Sequence, residues 1–83
     1  MSKRDKLIEG LRNSVKNVRF EDACKIAETI GFTRAGGKGS HRAYQRPGEP
    51  SGLNFQDRDG YIKPYQARQL LEMVDKYWVC DDE

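Results

Sequence analysis

Gly31-Phe32-Thr33-Arg34-Ala35-Gly36-Gly37-Lys38-Gly39-Ser40-His41-Arg42-Ala43-Tyr44-Gln45-Arg46-Pro47-Gly48 is the stretch on which the fold turns. It carries no helical repeat of apolar residues. Two short extended runs, Phe32 to Arg34 and Ser40 to Arg46, flank a glycine cluster able to reverse the chain, and Pro47-Gly48 ends the second run. The segment predicts a β-hairpin. On its C-terminal side, the loop Gly48-Glu49-Pro50-Ser51-Gly52 leads into Leu53-Asn54-Phe55-Gln56. Alternation there puts Leu53 and Phe55 on one face and Asn54 and Gln56 on the other, which predicts a third strand.

Asp57-Arg58-Asp59-Gly60 reads as a turn. From Pro64, a residue suited to a first helical turn, the stripe Leu70, Leu71, Val74, Tyr77 and Trp78 predicts a helix running to about residue 79. On the N-terminal side of the hairpin, Phe20, Ala23, Cys24, Ala27 and Ile30 share one helical face over about residues 20–30. Glu21 and Asp22 suit the positive end of that helix, and Gly31 is its stop. Leu7, Ile8, Leu11 and Val15 predict an earlier amphipathic helix over roughly 3–14, with Gly10 inside it. The order of elements gives an α+β domain: a three-stranded antiparallel sheet with helices packed on one face, the other face left open to solvent or a ligand.

The chain has 83 residues, enough for one domain with a thin core. No run approaches the apolar length of a membrane helix, and Met1-Ser2-Lys3-Arg4-Asp5-Lys6 is not followed by the apolar stretch of a signal peptide, so a cytoplasmic protein without membrane contact is expected. Cys24 and Cys80 lack metal-site spacing, and one histidine adds too few ligands for a soft-metal site; both thiols read as reduced and structural. Residues 1–46 hold eleven Lys/Arg against five Asp/Glu, and residues 47–83 hold four against eight, so the formal charge of +2 conceals a basic first half. Arg34, Lys38, Arg42 and Arg46 form a stripe without an acidic residue, either a solvated face or a site for anions.

His41, the single histidine, follows the glycine turn and is flanked in sequence by Lys38 and Arg42. A lone histidine is often structural. In this setting it also has what proton transfer on a phosphodiester requires, with Lys38, Ser40 and Arg42 to position phosphate and RNA as the leading substrate. Gly36, Gly37 and Gly39 form a tight turn, and such a backbone also admits phosphate at close range. The run is not a nucleotide-triphosphate loop, because Gly39 follows Lys38 where Ser or Thr is needed. Lys63, Gln66 and Arg68 lie on the first turns of the last helix, either as a solvated helix start or as phosphate contacts. Tyr65, Tyr77 and Trp78 read as core, whereas Tyr44, on an alternating strand, is the better candidate to stack on a base.

Gly31-Phe32, Gly39-Ser40-His41, Leu53-Asn54-Phe55-Gln56, Gly60-Tyr61-Ile62-Lys63-Pro64-Tyr65-Gln66 and Arg68-Gln69-Leu70-Leu71 together resemble the HicA-type toxin family. The resemblance covers about residues 19–79, leaving 1–18 as an N-terminal helical extension and 80–83 as an acidic tail. It implies a double-stranded-RNA-binding-domain-like fold, metal-independent cleavage of mRNA without a cofactor, and inhibition by a HicB-type antitoxin. The family's catalytic histidine, in Gly-Ser-His, falls on His41; Lys38, Gly39, Ser40, Arg42, Tyr44, Lys63, Gln66 and Arg68 are then the expected RNA contacts. Arg42 stands where many members carry a bulky or imidazole side chain. A non-catalytic RNA-binding module of the same fold is the alternative.

Overall fold

The computed structural model describes residues 3–78, in the order α1 (Lys3–Asn13), a 3-10 turn (Val15–Asn17), α2 (Phe20–Thr29), β1 (Thr33–Gly36), β2 (His41–Gln45), β3 (Leu53–Gln56) and α3 (Pro64–Tyr77). Cys80 and the acidic tail lie outside the described residues. Cys24 is a free, buried thiol. The strands form one antiparallel sheet in the order β1-β2-β3. The architecture is therefore α+β with a three-stranded antiparallel sheet, and no helix among the described residues is long and apolar enough to cross a membrane.

Local chemistry explains where the elements begin and end. At the end of α2, Gly31 adopts φ +98, its N–H donates to Glu28 and the Phe32 N–H donates to Ala27. This paired arrangement satisfies carbonyls the helix leaves open, and it needs a residue without a Cβ at that φ. At Asp59 and Gly60, φ values of 55 and 90 make a turn closed by reciprocal Arg58 and Tyr61 backbone bonds. That left-handed pair is the Asp-Gly hairpin turn. Beyond it the Phe20 N–H donates to Gly60 and the Ile62 N–H to Val18, so residues 18–20 and 60–62 pair, a link the sequence did not announce.

One core holds these elements together. Leu53, Phe55 and Tyr44 point from the sheet toward α2 and α3, both of which pack on β3, while α1 packs on α2 and α3. Ile8, Leu11 and Val18 join the same buried cluster, so residues 8–18 share their hydrophobic contacts with the rest of the chain. Phe32 meets Tyr77 edge-on at 6.2 Å, and Tyr44 lies 5.8 Å from Phe55. Arg46 closes the end of the sheet by donating to the Ile30 carbonyl at 2.9 Å with its guanidinium 3.9 Å from the Tyr77 ring. The half-buried Glu49 of the β2–β3 loop accepts from Lys76 at 2.8 Å and from the Tyr77 hydroxyl, tying that loop to the last turn of α3.

Candidate nucleic-acid interface

His41 opens β2 and is exposed. Its N–H donates to the Lys38 carbonyl at 3.0 Å, so Lys38, Gly39, Ser40 and His41 form one compact exposed turn; the turn expected over Gly36 to Gly39 lies further along the chain, because Gly36 pairs in β1 and Ser40 precedes β2. Gly37 holds that turn against the strand. At φ +115, any Cβ there would stand 2.3 Å from the His41 carbonyl oxygen and 2.7 Å from Arg42 Cα. Only glycine permits this approach.

Register divides the predicted residues between two faces. His41 is opposite Gln56, Arg42 opposite Phe55, Ala43 opposite Asn54 and Tyr44 opposite Leu53. Directly opposed residues share a face and successive ones alternate. His41, Ala43, Asn54 and Gln56 therefore lie on the face turned away from the helices, while Arg42 and Tyr44 lie with Phe55 and Leu53 on the helix side. Tyr44 is 1% exposed, and burial pushes its hydroxyl up to about 12. The expected stacking role for Tyr44 is thus corrected: its ring is core, because pairing with Leu53 fixes its direction. Arg42 is corrected likewise as a partner of His41. Its guanidinium lies 5.1 Å from the Phe20 ring centroid and 3.8 Å from Cys24 Sγ, in a cleft whose walls include Glu21, Asp22 and Asp57.

The start of α3 lies across β3 from His41. Gln66 is buried, and its Oε1 accepts from the N–H groups of Gln56 and Lys63, each at 3.2 Å. The first bond joins the helix start to the outer edge of β3 beside the Gln56–His41 pair; the second caps the helix. Gln66 is therefore a brace through its Oε1, and any phosphate contact would fall to its Nε2 amide donors. Lys63 is half-buried and Arg68 is exposed. Neither makes an ion pair among the described residues.

Two residues missed by sequence reasoning stand out. Tyr65, expected in the core, is 54% exposed, and Tyr61 is 40% exposed; they are the exposed large hydrophobics among the described residues. The signal for Tyr65 was available: it shares helical spacing with Gln69, Glu72 and Lys76, the polar face of α3, rather than with Leu70 and Val74. Tyr77 and Trp78 are half-buried against the core, as expected. Among the described residues no group of three His, Cys, Asp or Glu side chains is placed to hold a metal ion.

No family model matches the chain, and neither a curated protein nor a solved structure matches it.

Proposed function

We propose that this chain is a HicA-like toxin: an endoribonuclease that cleaves mRNA through His41 without a metal, is silenced by a HicB-type antitoxin, and is built on a double-stranded-RNA-binding-domain-like frame. The observation that carries the reading is an exposed imidazole on a turn that also presents Lys38 and Ser40. Such a group, held by an ordered strand and open to solvent, can exchange a proton with a ribose hydroxyl near neutral pH. The ribose 2′-oxygen attacks the adjacent phosphorus, the bond to the 5′-oxygen breaks, one proton leaves the 2′-hydroxyl and another reaches the departing oxygen. His41 serves one transfer and water the other. Lys38 and the backbone of Gly39 and Ser40 face the charge that develops on phosphate.

A second reading, RNA binding without cleavage, draws support from the His41 side chain, which hydrogen-bonds to no described residue that would orient it, and from Arg42, which turns away. Cations would then hold phosphates while His41 only shapes the turn. Purified wild-type protein and His41→Ala, incubated with RNA in EDTA, separate the two readings. On the first, the substitution lowers the cleavage rate by about 10²–10⁴, the usual weight of a positioned proton-transfer group. Equal rates would remove His41 from the chemistry, and a wild-type protein that binds RNA but leaves it intact would select the second reading.

A further inference from the structure

Isolated exposed aromatics are ordinary on protein surfaces. Tyr61 and Tyr65 are not isolated: they lie four positions apart on either side of Lys63, with Arg58 and Arg68 just beyond them in the chain. None of these three cations makes an ion pair among the described residues. Asp57, the carboxylate at the start of the turn, is occupied by the Gly60 N–H at 2.7 Å.

Both rings also stand on fixed backbone. Tyr61 closes the Asp59-Gly60 turn through two bonds with Arg58, and the flanking Gly60 and Ile62 pair with Phe20 and Val18. Tyr65 belongs to the first turn of α3, capped by Gln66. An outward ring on an ordered backbone loses little freedom when a planar group settles on it, so contact costs less than it would on a mobile loop. The position suits the site as well. The Asp57 N–H donates to the Ser40 carbonyl at 2.7 Å, so the turn carrying Tyr61 leaves the sheet beside His41, while Gln66 anchors the segment carrying Tyr65 to Gln56, the partner of His41.

We infer that Tyr61 and Tyr65 are stacking platforms for unpaired bases of a single-stranded RNA, with Lys63 between them, and with Arg58 and Arg68, meeting its phosphates. The ligand class follows from the combination: aromatic faces accept any base, and interleaved cations attract the backbone, whereas a duplex keeps its bases stacked and offers the rings nothing. This inference rests on the ribonuclease reading of the same region and names the form of RNA that it takes.

Fluorescence anisotropy with a labelled oligouridylate, free or annealed to oligoadenylate, tests it on full-length His41→Ala protein, which keeps the RNA whole. Tyr65→Leu and Tyr61→Leu each weaken binding of the single strand by roughly 5- to 150-fold, the span of one lost base–ring stack. Tyr→Phe at either position retains wild-type affinity, and binding of the duplex changes little in any variant. Both rings are outward, so thermal melts of the variants should match the parent. Single-strand affinity unchanged in both leucine variants, while the wild-type protein still cleaves RNA, overturns the stacking role and leaves the ribonuclease reading standing. Loss of affinity in the leucine variants of a protein that does not cleave sustains stacking and sinks catalysis. Leucine variants that keep RNA affinity but fail to co-purify with a protein inhibitor would reassign the surface to protein docking and overturn the inference.

Discussion

Gly37 fixes the place of His41 through backbone contact alone, and the neighbouring Gly39 provides its control. Both have positive φ, +115 and +59, but a Cβ on Gly37 meets the His41 carbonyl while one on Gly39 has nothing within 4 Å. Gly39→Ala therefore pays only the left-handed penalty, about 1–2 kcal/mol. Gly37→Ala must also displace the start of β2, so it should melt at a lower temperature than Gly39→Ala and shift the His41 ring resonances in NMR spectra. Matching melts with an unmoved His41 would show that the turn does not depend on this contact.

At the scale of elements, sequence and structure agree where one signal dominates and part where two compete. The order of helices and strands was legible because apolar spacing changes at Gly31 and again at Pro64, and the faces of β3 were legible because Leu53 and Phe55 alternate with Asn54 and Gln56. β2 offers no such contrast. Its helix-side residues are Arg42 and Tyr44, both with polar ends, so the sequence does not say which parity faces in; pairing with β3 decides it, and cation–ring and sulfur contacts let Arg42 occupy the inner side. The existence of a turn at the candidate site was legible because it is local, but its bounds were not, since pairing with β2 draws Gly36 into β1; the bracing role of Gln66 and the exposure of Tyr65 were missed because helix capping and helical phase were not weighed against residue type. A salt titration of RNA binding on the His41→Ala background follows from the two faces. Lys38→Ala and Lys63→Ala should each reduce the log–log slope by about 0.7, the effect of one lost phosphate contact on a single strand. Arg42→Ala should leave the slope unchanged and lower the melting temperature through lost packing on Phe20. A slope change at Arg42 equal to that at Lys38 would put RNA in the α2 cleft.

For the molecule as a whole, the Glu49 link between the β2–β3 loop and α3 predicts acid behaviour. The Lys76 ammonium, followed by the Tyr77 hydroxyl, holds the Glu49 carboxyl at about 2, below its ordinary 4.5. A lowered native value means that the folded state favours the ionised form, so its contribution is complete above pH 4.5 and is lost as pH falls toward 2. Melting temperature should drop over that window in the wild-type protein and more gently in Glu49→Gln; parallel curves would mean that the link carries no stability. An antitoxin that silences the proposed activity should cover the exposed His41 turn without refolding the domain, because the turn is already accessible and carries Lys38 for acidic side chains to meet. Chemical-shift mapping should then show Gly39 to His41 perturbed and RNA displaced; perturbation confined to α1 with RNA still bound would refute direct occlusion. The packing of α1 has one more consequence, and it concerns synthesis. Arg12 pairs with Asp75, and α1 lies against both α2 and α3, so the first helix completes its seat only after the last has been translated. At about 5–20 residues per second, α1 waits several seconds on the ribosome with its α3 contacts unmade. A nascent chain stalled before residue 64 should therefore remain open to protease throughout, gaining protection in a single step once α3 has emerged.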